Sequence, residues 1–330
     1  MWILIGVIFA ILLAALIFQA CQQGSFEIKR SLEIDATLES VFAAIVDLKS
    51  WPKWSPWLLH EADAHISYSD NYQSEGGYYS WDGKVVGAGK LTHLEIRPDS
   101  SIRQQIEFLR PFNALNQVNW KFENRGDSTL LSWEMSGRMP FLLRFMNKRM
   151  ESGLERDFEL GLALLGGYLN AAMPHPVLSF CGTEELQDFS YWAIPCNGNL
   201  RQLEAARRAS IETLRGAADT RVGMALTLYH HFDPRAAQYQ AEIAIPVIDH
   251  GPGSNYQKRD FKGGRYCKMT LCGDLKFIPL GWHALNSHCC MHKIKLDPDR
   301  PALETYREDP DEVIGSNQAV TTLYLPIKSG

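Results

Sequence analysis

The sequence has few cysteines, no basic block and no charged side chain before Glu27, and each shortage excludes something. Seven cysteines in 330 residues are too few for a disulfide scaffold, and the odd number leaves at least one unpaired. Lys+Arg 33 against Asp+Glu 38 gives a net charge of −5; without clustered positive charge, nucleic acid is excluded as the main partner. Gly87-x-Gly89 has neither the glycine spacing nor the following helix of a phosphate loop. Residues 27–172 hold no paired carboxylates or nucleophile elbow that read as catalytic. No cofactor is expected. Apolar residues at 45% and charged residues at 22% exclude wholesale disorder. At about 150 residues per domain, the length points to two domains.

What is present begins with Trp2 to Phe18, seventeen consecutive apolar residues. A helix rises ~1.5 Å per residue, so the uncharged stretch is long enough for a ~30 Å hydrocarbon core. A signal peptide would carry Lys or Arg before the apolar run, and none stands there. Phe18-Gln19-Ala20-Cys21 faintly resembles a lipoprotein cleavage site, but the same missing charge counts against it. Residues 1–26 therefore read as an uncleaved membrane anchor. Lys29 and Arg30 follow the span, which places the remaining chain on the cytoplasmic side.

From Phe26 to Asp35 the apolar residues fall mostly at a period of two, as in a half-buried strand. Thr37 is an N-cap for a short helix with Val41, Phe42, Ile45, Val46 and Leu48 on its apolar side, ending near Pro52. Strand-like stretches follow at HISYSD, GYYSWDG, KVVGAGKLTHLEI, SIRQQIEFL, QVNWKFENRG and STLLSWEMSG, with a hairpin turn at Asn124–Asp127. Met146, Met150, Leu154, Phe158, Leu162, Leu165 and Leu169 then form one long helical stripe. A curved sheet gripping a long helix is the economical packing of that order.

IDATLESVFAAIVDLKSWPKWSPW, GGYYSWDGKVVGAGKLTHLEIRP, IEFLRPFNA and MNKRMESGLERDFELGLALL resemble the START-like, polyketide-cyclase-related (SRPBCC) superfamily across Phe26–Leu169. The resemblance implies a helix-grip fold with a deep apolar cavity for lipids, polyketides or other hydrophobic molecules, in a family of which only some members catalyse anything. Trp51, Trp54, Trp57, Tyr79, Trp81, Phe108 and Trp120 are the aromatic residues available to line such a cavity, although each could equally be ordinary core.

Ala171–Pro176 is the linker. Beyond it the pattern reads strand (DFSYWAIPC), helix from Asn199 with Leu200, Leu203, Ala206, Ile211 and Leu214 on its apolar side, and strands VGMALTLYHHF and YQAEIAIPVID. After a looser glycine-bearing stretch over Gly251–Gly264 the order repeats: RYCKMTLCG, the helix LKFIPLGWHALNSHCCMHKI, ALETYRED and TTLYLPIK. Glu242–Val247 and Thr322–Ile327 end the two units alike, which implies a pseudo-twofold domain with a cleft. This half resembles gyrase-inhibitor-like effector-binding domains of bacterial regulators over Phe189–Lys328. That resemblance implies a cleft for amphipathic, often cationic aromatic molecules, with hydrolysis of small molecules in some relatives. The family often carries an acidic residue where this chain has Thr322, which weakens both expectations there. Glu242 fills the equivalent place in the first unit, as a cleft carboxylate or a surface strand residue. Tyr306 and Tyr324 match the aromatic positions. His283, His288, Cys289, Cys290 and His292 share one helix, but HCCMH lacks the protease glutamate and a CxxC partner, so no metal is expected. Trp282, Leu285 and Cys289 face the core by helical periodicity, and Trp282 borders the cleft.

The expected architecture is α+β: an anchor at 1–26, a START-like ligand domain at 27–173 and an effector-binding-like domain at 174–330. The expected role is binding or sensing of a small hydrophobic or amphipathic molecule at a membrane. A hydrolase or cyclase acting on such a molecule is the alternative, and a buried carboxylate in the second domain's cleft would favour it.

Overall fold

The computed structural model describes residues 2–199, 202–203, 205–207, 209, 226–233, 238–246, 257–307 and 319–328, with side chains at eleven of the twenty positions of the first helix. The chain divides into two compact units, Met1–Met173 and Pro174–Gly330.

The first unit opens with α1 (Trp2–Cys21). Among the described residues no helix is long and apolar enough to cross a membrane, so the case for α1 as a span rests on its sequence. β1 (Ser25–Ile34) follows, then α2 (Leu38–Val46), capped by Thr37, whose Oγ1 accepts the Ser40 N–H at 3.4 Å. Six strands come next: β2 (His65–Tyr68), β3 (Tyr78–Asp82), β4 (Ala88–Arg97), β5 (Ser101–Arg110), β6 (Ala114–Asn124) and β7 (Thr129–Arg138). All pair antiparallel in one sheet ordered β1-β7-β6-β5-β4-β3-β2. The β6–β7 turn needs Gly126, whose φ is +85°, and the Asn124 side chain accepts its N–H at 2.8 Å. α3 (Asn147–Leu169) packs on β1, burying Phe158, Leu162 and Leu165 against the aromatic interior.

One boundary differs from the expected stripe. Met146 is outside α3: Phe141–Met146 forms a 3₁₀ turn with no buried residue, started by Pro140. The helix begins at Asn147, whose Nδ2 donates to the Ser25 carbonyl at 3.1 Å. A spacing of four carries no information about where helical geometry starts.

The second unit is an eight-stranded antiparallel sheet ordered β12-β9-β11-β10-β14-β15-β13-β8. Its strands are β8 (Val177–Leu186), β9 (Phe189–Gly198), β10 (Leu226–Asp233), β11 (Gln238–Pro246), β12 (Gln257–Phe261), β13 (Gly264–Cys272), β14 (Ala302–Tyr306) and β15 (Val320–Pro326). α4 (Ile278–Met291) packs on β13 and β15. The inner six strands mirror about β10/β14, where Thr227 faces Glu304 across the ladder. Both edge strands were absent from the sequence-based expectation. β8 alternates between exposed and half-buried but buries no residue and carries Glu184 on its inner side, and β12 is QKRDF with four exposed residues, so neither shows a run of alternating apolar residues. Ile211, Leu214 and the glycines from 251 to 253 lie outside the described residues.

Candidate functional site

In the first unit the inward positions of β3, β5, β6 and β7 meet the 3₁₀ turn Trp51–Lys53 and α3. Trp51, Trp54, Tyr79 and Trp120 are all buried and lie ring against ring. Trp51 sits 4.7 Å from Trp54, 5.9 Å from Tyr79 and 5.8 Å from Trp120 by ring centroid. Trp133, which sequence reasoning did not single out, completes the wall: it stacks on Trp120 at 4.6 Å and, at 4.0 Å, on Phe158 of the helical stripe. Trp81 and Phe108 are only half-buried, 5.9 Å apart, and continue the row past Tyr79. Gly89 is required there, because a Cβ would stand 2.3 Å from the Trp81 ring.

A buried polar chain crosses this apolar wall. Trp120 Nε1 donates to Gln104 Oε1 at 2.8 Å, Gln104 Nε2 lies 3.2 Å from His93 Nδ1, and His93 Nε2 lies 3.1 Å from the Val46 carbonyl. Burial holds the His93 pKa below its usual value, so the ring is neutral and donates from Nε2. Between Gln23–Glu27 and strands β4–β7 runs an open groove of about 710 Å³, edged by Leu94, Arg103, Leu115 and Arg138. Asn116 borders it, with Oδ1 buried and without a hydrogen-bond partner.

Among the described residues of the second unit, two glutamates are buried. Glu242 on β11 is buried: Tyr191 donates to it at 2.8 Å, Arg259 of β12 pairs with it, and His230 Nε2 lies 3.4 Å away. The carboxylate is thus buried beneath two exposed basic side chains instead of standing on the strand surface. Glu304 on β14, which sequence reasoning missed, is 2% exposed. Tyr229 donates to it at 3.0 Å and Trp282 Nε1 at 3.1 Å, and Tyr306 donates to its other oxygen. Burial raises the Glu304 pKa, against the three donors and the Arg207 charge, which lower it. Burial and the Glu304 charge in turn push the Tyr229 and Tyr306 hydroxyls well above the usual tyrosine range. Arg207 is itself buried, 4.7 Å over the Tyr306 ring, with Nη1 lacking a hydrogen-bond partner among the described residues. Two expected residues, Trp282 and Tyr306, therefore meet at one carboxylate. Tyr324 instead packs on Tyr266, with Lys268 5.6 Å over its ring. The signal for Glu304 was ALETYRED itself, where it stands two residues before Tyr306 on one strand face.

On α4, His288 stacks between Phe180 and His292, each at 4.1 Å, and Cys289 is buried. Among the described residues no group of three or more His, Cys, Asp or Glu is placed to hold a metal ion.

Residues 25–169 match the family described as polyketide cyclase / dehydrase and lipid transport. The match spans the seven-stranded sheet and α3 and stops short of the second unit. No curated protein matches the chain. Among solved structures, protein CV1439 from Chromobacterium violaceum is 14% identical with a TM-score of 0.34, covering 43% of this chain and 96% of its own. MLL2253 from Mesorhizobium loti is 14% identical with a TM-score of 0.35, covering 44% and 98%. SAV2435, solved bound to tetraphenylphosphonium, is 14% identical with a TM-score of 0.35, covering 44% and 93%.

Proposed function

We propose that the protein binds or senses a small hydrophobic or amphipathic molecule and is held at a membrane by α1, with both units on the cytoplasmic side. The ligand-binding reading rests on the lipid-transport and cyclase family match of residues 25–169, on a sheet-and-helix unit whose interior is aromatic. Trp51, Trp54, Tyr79, Trp81, Phe108 and Trp120 are its proposed contact surface. Anchoring is supported by the seventeen-residue apolar run and by α1 leaving Trp2, Phe9, Ile17 and Phe18 more than half exposed.

In the second unit we propose an effector-like site for an amphipathic, cationic aromatic molecule. Glu304 sets a buried carboxylate among Tyr229, Trp282 and Tyr306, and the Tyr306 ring already carries a cation, Arg207, over its face, the kind of contact such a ligand would use. Glu242 and Tyr324 are proposed as outlying contacts. A second reading, hydrolase or cyclase, is favoured by one observation: a carboxyl of raised pKa beside two tyrosine hydroxyls is equipped to exchange protons with a bound substrate.

Native mass spectrometry of the detergent-solubilised chain, followed by thermal shift against fatty acids and lipophilic cations, tests binding. A ligand that binds only the folded state raises the transition temperature by mass action. No co-purifying molecule and no shift with either panel overturns the proposal. Turnover of a hydrophobic ester that Glu304→Gln abolishes would move the balance to the enzymatic reading.

A further inference from the structure

Of the five apolar side chains in the 3₁₀ turn Phe141–Met146, Leu143 packs on the core and the other four face outward. Phe141, Leu142, Phe145 and Met146 are 39%, 69%, 56% and 42% exposed. The same stretch is basic: residues 138–149 contain Arg138, Arg144, Lys148 and Arg149 and no Asp or Glu, in a chain whose net charge is −5. Arg138, Lys148 and Arg149 are exposed. The turn also lies against the end of α1. Gln19 Nε2 donates to the Leu142 carbonyl at 2.8 Å, and the Arg144 guanidinium comes within 2.8 Å of where a Cβ on Gly24 would stand.

Exposed large apolar side chains flanked by cations, with no anion among them, fit the boundary between acyl chains and anionic headgroups. A water-facing turn would be expected to bury or dilute that apolar surface. Position adds to composition, because the patch sits where α1 hands over to the folded unit. We infer that Phe141–Met146 with its flanking basic residues is an interfacial wedge, seated in an anionic bilayer surface beside α1. This rests on the reading of α1 as a membrane anchor, and it gives Arg138, at the edge of the open groove, a place next to lipid headgroups.

The test uses the full chain in nanodiscs of phosphatidylcholine, with or without phosphatidylglycerol. Photoreactive p-benzoylphenylalanine replaces Leu142, Phe145 or, as a control in the β6–β7 turn, Asp127. All three positions are exposed, so folding is retained. Crosslinks to phospholipid are expected at 142 and 145 and not at 127. Combining Lys148→Glu with Arg149→Glu should lower the crosslinks to phosphatidylglycerol on the order of tenfold or more, since each cation near an anionic surface contributes about fivefold. Alkaline carbonate extraction of sedimentable cell membranes carrying the full chain reads the anchor separately. A chain that resists carbonate yet gives no lipid crosslink at 142 or 145, or crosslinks there only to protein, overturns the wedge. Release by carbonate with lipid crosslinks retained overturns the anchor and leaves the wedge standing.

Discussion

His93 is an ionisable side chain kept neutral by its surroundings, and the direction of its pKa shift makes a stability prediction. The unfolded chain takes up a proton near the ordinary value of 6.5, whereas burial resists that proton in the folded state. Below that value the unfolded state therefore binds more protons, so stability is lost as pH falls from about 6.5 towards the lower folded pKa. Urea midpoints of wild type should fall across that window, and those of His93→Gln should fall less. Gln104 is the joint of the same chain. Gln104→Leu strips partners from Trp120 Nε1 and His93 Nδ1, and denaturant titration should show a loss of about 1–3 kcal/mol. Outside the core, Glu61 accepts the amides of Lys84, Val85 and Val86 at 2.8, 2.8 and 2.9 Å. With Glu61→Ala, those three amides should exchange hydrogen faster, while amides in β6 keep their rates. None of these polar contacts could be read from the sequence, because each joins residues distant in the chain through a side chain with no periodicity.

At the scale of elements, α3 carries two glycines of opposite consequence. A Cβ at Gly153 meets nothing within 4 Å, so Gly153→Ala should stabilise by up to about 1 kcal/mol through helix propensity alone. At Gly161 a Cβ would lie 2.8 Å from the Trp133 ring, itself stacked and unable to retreat; Gly161→Ala should cost about 1–3 kcal/mol. Opposite shifts in melting temperature would confirm the pair, and shifts of the same sign would refute it. Elements were legible where burial imposes a period. β1, β5 and β7 alternate as Phe26, Ile28 and Ile102, Ile106 and Leu131, Trp133 require, and the stripe Phe158–Leu162–Leu165 marks α3. Edge strands β8 and β12 were illegible because pairing on one side with water on the other asks little of the side chains. The 3₁₀ turn before α3 was hidden by apolar residues that fit a helical stripe but face outward.

For the whole molecule, the sequence order of strands and helices was enough to anticipate two α+β units, with an antiparallel helix-grip pattern in the first; that the second sheet is also antiparallel came from the structure. The site was less legible. Aromatic composition and the helical stripe marked the interior of the first unit, Phe158 included, but the place of Trp133 in it emerged only from the fold. In the second unit the glutamate singled out, Glu242, is tied to Arg259, while Glu304 gathers Tyr229, Trp282 and Tyr306. A sequence shows which residues alternate along a strand, but not which neighbouring strand brings a charge to them. Anchoring makes the prediction proper to this scale: deletion of residues 1–26 should move the protein from the membrane pellet to the supernatant in high salt. A truncated chain still wholly in the pellet would rule the anchor out.

The stack of Trp120, Trp133 and Phe158 has an optical consequence. Two indoles 4.6 Å apart with an interplanar angle of 22° share their excited states. They should give the first unit an exciton signature in circular dichroism that vanishes when Trp120 or Trp133 is replaced by Phe. Six of the nine tryptophans belong to the sheet and turns of that unit, against Trp192 and Trp282 in the second. Intrinsic emission will therefore report mainly on the helix-grip unit, and a ligand entering its aromatic wall should be visible as quenching before a label is attached.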